Sequence, residues 1–193
     1  SDANITANSI AVSEGIVAAG AGADANATAK HDVTAYIDQN ALIDVQEDIL
    51  IDAVSLTDIE SDALGASGSL SVSVGASLAD ATATPDLDAY VRNATLEAGE
   101  GILIRARHNV KADGSAYTDH TANADSHAPS GALLGSGTGA HSTAEVSPTL
   151  DAYVNASSTL TAGDDIEILA LSYAETDASA KGRSGGGLAV GTA

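Results

Sequence analysis

From Ile102 to Ala128 the apolar and polar positions alternate. Even positions hold Ile102, Ile104, Ala106, His108, Val110, Ala112, Ala122, Ala124 and Ala128, and odd ones hold Arg105, Arg107, Asn109, Lys111, Asp113, Asp119 and Asp125. A two-residue period places successive side chains on opposite faces of a β-strand, one face dry and one wet. The same alternation runs through Ile49–Gly65 and Ile166–Ala180, and no stretch sustains a 3.6-residue helical stripe. A strand as long as Ile102–Ala128 would span roughly 90 Å at about 3.3 Å per residue. The pattern therefore predicts an all-β chain whose longest strands bend or are interrupted.

The pattern recurs. VTAYI (33–37), LDAYV (87–91) and LDAYV (150–154) put Tyr36, Tyr90 and Tyr153 in equivalent places, 54 and 63 residues apart. Each Tyr leads to Ile43, Leu96 or Leu160, then to a polar turn, then to a β-branched run: ILIDA (49–53), ILIRA (102–106) or IEILA (166–170). A second alternating stretch then enters a Gly/Ser-rich segment, GASGS (65–69), PSGALLGSGTG (129–139) or GRSGGGLAVG (182–191). Surface loops tolerate insertion, so the difference in repeat length is assigned to these Gly-rich segments. Residues 1–193 read as one array of units about 54–63 residues long, a piece of a longer chain or of a polymer.

Pro85 and Pro148 stand five residues before their Tyr, where the first copy has His31. Proline cannot donate to a ladder, so a recurring proline marks a corner. Corners at fixed phase favour a coil in which each unit stacks on the next, a β-solenoid resembling a parallel β-helix, with Tyr on Tyr and Gly segment on Gly segment. The alternative is an antiparallel meander of long β-hairpins turned by the Gly-rich segments.

Composition narrows the interior. The chain has no Phe, Trp, Met or Cys, and alanine dominates its apolar residues. Such side chains suit a thin core rather than the roughly 10 Å gap between ordinary packed sheets. Without cysteine there is no disulfide framework, thiolate site or cysteine nucleophile. No apolar run reaches the roughly 20 residues of a membrane span, so membrane insertion is not expected. Twenty-seven acids against seven Lys and Arg give a net charge of −20. That charge argues against nucleic acid or an anionic membrane as partner, and it weakens side-by-side association.

The phased units, clearest in TLEAGEGILIRA (95–106) and TLTAGDDIEILA (159–170), resemble the repeats of filamentous-haemagglutinin-like adhesins and of very large bacterial surface proteins of that kind. The resemblance implies a β-solenoid, an extracellular or cell-surface location, and an adhesive or scaffolding role. It carries no catalytic residues.

Candidate chemistry is sparse. Tyr36, Tyr90 and Tyr153 have the opposite parity to their apolar neighbours and would form a surface ladder, either a stacked row or a contact line for glycans or a second fibre. Glu47, Asp48, Glu100, Asp164 and Asp165 would gather at one edge, where stacked carboxylates could share Ca²⁺, although no EF-hand or repeat-in-toxin motif is present. His31, His108, His120, His127 and His141 lack ligand spacing, and the inward parity of His108 and His120 suggests packed histidines. Paired carboxylates arise anywhere among so many acids, so no enzyme is read from them. The expected role is a structural subunit of an extracellular filament or stalk whose partner is itself, by end-to-end stacking, or neighbouring repeats. The alternative is an adhesin segment that binds glycans or a host surface through its Gly-rich loops.

Overall fold

The computed structural model covers residues 1–193, and every regular element in it is a strand. The first copy holds β1 (Asp2–Gly15), β2 (Ala18–Ala29), β3 (Asp32–Ile37) and β4 (Leu42–Val45). The second holds β5 (Ile49–Ser69), β6 (Val72–Ala83), β7 (Asp86–Val91) and β8 (Thr95–Ala98). The third holds β9 (Ile102–His108), β10 (Ala122–Ala132), β11 (Gly135–Val146), β12 (Thr149–Val154) and β13 (Thr159–Ala162). A further partial copy adds β14 (Ile166–Ser172), β15 (Thr176–Gly185) and β16 (Leu188–Thr192).

Strands pair with their equivalents in the adjacent copy, always in parallel. Ile49, Ile102 and Ile166 are ladder partners, as are Ile43, Leu96 and Leu160, and Tyr36, Tyr90 and Tyr153. The antiparallel meander is thereby corrected. Strands consecutive in sequence, such as β5 and β6, belong to different sheets and face each other across the interior. The sole antiparallel pairing is an isolated bridge between Val110 and Ala116.

The interior has two compartments of different thickness. Where β3, β7 and β12 and the starts of β5 and β9 converge, Ile51, Leu87, Val91, Leu96, Ile102 and Ile104 fill a core of branched side chains. Where the far half of β5 lies against β6, the core is Ala27, Ala29, Ala79, Ala81, Ala83 and Ala124, with Ile59 the one large member. Towards the end of β5 the lining becomes Ser and Gly, and the facing backbones nearly touch. A Cβ on Gly65 would lie 1.9 Å from the carbonyl oxygen of Ala76. Such closeness is possible only where one side chain is missing. The corners fall where the prolines predict: Pro85 is fully buried between β6 and β7, and Pro148 lies between β11 and β12.

Two expectations about the Gly-rich segments are corrected. They are not loops. GASGS lies at the end of β5, and PSGALLGSGTG runs through β10 and β11 with only Leu133 and Leu134 outside the strands. Nor do they hold the difference in repeat length. Ser69 pairs with Ala132 and Val72 with Gly135, so the offset is the same on both sides of the turn. The insertion lies upstream: Ser55 pairs with His108, 53 positions on, but Ile59 pairs with Ala122, 63 positions on. Ten extra residues thus leave the sheet between β9 and β10, and β5 passes the same point without a break.

Candidate functional site

Three local arrangements bring together residues with chemistry. The first is the tyrosine row on the outer face of the β3–β7–β12 sheet. Tyr36 and Tyr90 have ring centroids 5.3 Å apart at 13°, and Tyr90 and Tyr153 are 5.1 Å apart at 12°. Parallel in-register pairing imposes this stack, because identical residues fall one strand spacing apart. Both faces of the Tyr90 ring are covered by its neighbours, so any contact along this line is made by ring edges and hydroxyls. Beside the row Arg92 donates to Asp38 from Nε at 3.0 Å, and its guanidinium carbon is 5.5 Å from the centre of the middle ring, Tyr90. The hydrogen bond from Arg92 holds the Asp38 carboxyl below its ordinary range.

The second arrangement is the stacked polar turn that leads into β5, β9 and β14. The Gly101 amide donates to Asp48 Oδ1 at 2.8 Å, and the Asp164 amide donates to the Glu100 carbonyl at 3.1 Å. Asp48, Gly101, Asp164, Asp165 and Glu167 line a shallow groove with Ile49. Glu47 and Glu100 are exposed. No three His, Asp or Glu side chains here or elsewhere converge in a geometry that could hold a metal ion. The turn is tight: a Cβ on Gly163 would lie 2.1 Å from the Gly99 carbonyl oxygen, and one on Gly99 would lie 2.4 Å from that of Gln46.

The third arrangement is a polar junction between the two core compartments, where Ser55, Thr57, His108 and Asn109 are buried. Here the copies carry Ser55, His108 and Ser172 at one ladder position. His31 Nε2 lies 2.5 Å from Ser55 Oγ, and Ser55 Oγ lies 3.5 Å from Thr57 Oγ1. His108 is wholly buried, and neither ring nitrogen has a hydrogen-bond partner. Burial pushes its ring down to about 4, and His31 and His120 add to the shift. Burial also lowers His31, aided by the N-terminal amine and opposed by Asp32. His120, on the insertion, lies beside Tyr117 and pairs with Asp119 at 3.1 Å.

No family model, curated protein or solved structure matches the chain. Chemistry must therefore be read from the side chains alone.

Sequence reasoning missed how the insertion is held. Asn109, in the left-handed region at φ 51°, begins it and closes a mutual pair with Thr57: the Thr57 amide donates to Asn109 Oδ1 at 2.8 Å, and Asn109 Nδ2 donates to the Thr57 carbonyl at 3.1 Å. Asn tolerates that conformation better than most residues. Arg105 Nη1 donates to the Ala112 carbonyl at 2.9 Å and Arg107 Nη1 to the Val110 carbonyl at 2.7 Å. Both guanidinium groups also pair with Asp52, at 2.9 and 3.0 Å. The signal in the sequence was two arginines on the wet face of one strand in a chain that has only seven basic residues.

Proposed function

We propose that the chain is a β-solenoid segment of an extracellular filament or stalk, extended by adding equivalent coils end to end. One observation carries this reading. Ile166 and Ile168 continue the columns of Ile49 and Ile102, and of Ile51 and Ile104, yet each is 44% exposed, while Ile102 and Ile104, which have an equivalent strand on both sides, are buried. Those two side chains are covered in the inner copies by the next equivalent strand, and a further coil would cover them in the same way. Parallel pairing that repeats identical residues needs no new recognition chemistry to continue, because free strand edges present the donors and acceptors already used inside the stack. The net charge of −20 opposes contact between the acidic faces of such rods. The resemblance to adhesin repeats favours the same location and scaffolding role.

Negative-stain electron microscopy of concentrated protein tests the reading. Thin unbranched filaments are expected for the native chain, and short particles for Ile168→Asp, which places a charge on the stacking face. Discrete particles of the native chain at every concentration would rule out assembly by stacking.

A further inference from the structure

The acidic charge is not spread evenly over the molecule. No Asp, Glu, Lys or Arg occurs in residues 15–23, 63–79, 126–144 or 184–193. The register stacks these four windows on one another, because Ala18, Val72, Gly135 and Leu188 are ladder partners. Together they form the narrow end of the cross-section, where β1 turns into β2, β5 into β6, β10 into β11 and β15 into β16.

At this end two residues reverse the chain in each copy, and three copies place aliphatic side chains there. Ile16, Val17, Leu70, Leu133 and Leu134 are 59–77% exposed, and Leu188 beside them is 71% exposed. The turns are held in line by backbone hydrogen bonds from one copy to the next: Val72 donates to Val17, Leu134 to Ser71, and Leu188 to Leu134, each at 3.1 Å. The side chains thus form a fixed ridge along the stacking axis. Tight turns ordinarily carry Gly, Asn, Asp or Ser at such positions. A contiguous aliphatic ridge on an otherwise strongly charged surface marks an interaction site.

We propose that this ridge is a lateral interface that joins two copies of the chain, ridge to ridge. Charge selects the partner. Elsewhere a second copy meets like charge, so side-by-side contact there is repulsive, whereas the charge-free end lets two molecules approach with their acids held outward. A basic partner would instead be drawn to the acidic faces. Spacing agrees, because a second copy presents its aliphatic side chains at the same interval of about 4.8 Å per strand. Each side chain removed from water contributes up to about 1.5–3 kcal/mol.

Sedimentation equilibrium on Ile168→Asp, in which end-to-end stacking is blocked, tests the ridge apart from the filament reading. The expected result is a monomer–dimer equilibrium that tightens as NaCl rises and weakens more than tenfold on adding Leu70→Asp and Leu133→Asp, with circular dichroism unchanged. A species that stays monomeric at all concentrations and salt levels overturns the proposal. So does a dimer indifferent to Leu70→Asp and Leu133→Asp. Binding of the monomer to neutral phosphatidylcholine vesicles, lost in those variants, would also overturn it and assign the ridge to a lipid surface.

Discussion

Ser55 and His108 are partners in the parallel ladder between β5 and β9, so a hydroxyl and an imidazole hold the same place in successive copies. The exchange makes stability depend on pH. His108 titrates near 4 when folded because it is buried, against about 6.5 when unfolded. Above pH 6.5 both states are neutral and the junction is at full strength. Between 6.5 and 4 only the unfolded state takes the proton, so stability falls as pH falls, and below about 4 this contribution levels off. His31 is shifted in the same direction. Chemical denaturation at pH 7 and pH 4.5 should differ by on the order of 2 kcal/mol, allowing for solvent at the junction. His108→Ser installs the residue of the neighbouring copies and should remove much of that difference. An unchanged difference would place its origin elsewhere.

Asp52 ties the insertion to the sheet through two largely buried arginines. Asp52→Ala leaves both guanidinium groups without their carboxylate and should cost about 2 kcal/mol, between the values for exposed and fully buried pairs. The carbonyls of Val110 and Ala112 would keep their donors but lose the charge that orients them. Trypsin should then cut after Lys111 several-fold faster than in the native chain while the remaining repeats stay resistant. Equal cleavage rates would mean that the Asn109–Thr57 pair alone anchors the segment.

The repeat phase, the corners at Pro85 and Pro148 and the strand character could all be read from the sequence, because period-two burial and proline act locally. The insertion could not. Its ten residues are an even number, so β9 and β10 keep the same parity, and Val110, Ala112 and Ala116 continue the alternation through a segment that has left the sheet. The Gly-rich segments misled for a different reason. Glycine is depleted in strands when cross-strand packing sets the preference, but here facing backbones approach so closely that strand positions such as Gly65 require it. Alternation is the same for parallel and antiparallel neighbours, so the direction of pairing could be read only from the recurring proline corners and the repeat phase, which favoured the parallel stack.

The tyrosine row offers a test of in-register stacking. Tyr90 has a stacked partner on each side, and Tyr36 and Tyr153 have one each within the chain. A stacked aromatic pair contributes about 0.5–1.5 kcal/mol beyond burial. Tyr90→Ala should therefore destabilise by roughly twice as much as Tyr36→Ala in urea titrations, a difference of about 1 kcal/mol. Equal losses would show that the rings act independently.

The narrow compartment supports the most specific prediction. Gly65 faces Ala76, and in the adjacent copies the ladder partners are exchanged: Ala11 pairs with Gly65, while Gly22 and Gly139 pair with Ala76. The second copy is the crowded one: a Cβ on Gly65 would strike the Ala76 carbonyl, whereas one on Gly22 would meet nothing within 4 Å. Gly65→Ala forces a Cβ against the Ala76 carbonyl, and the sheets must part or the strand must shift. Overpacking of this kind costs about 1–3 kcal/mol. Adding Ala76→Gly reproduces the arrangement of the copies on either side and should recover part of the loss. A double-mutant cycle in urea would measure a favourable coupling between the two sites. If the two changes simply add, the clash is relieved by backbone movement, and the alternation of Ala and Gly plays no part in setting the spacing of the sheets.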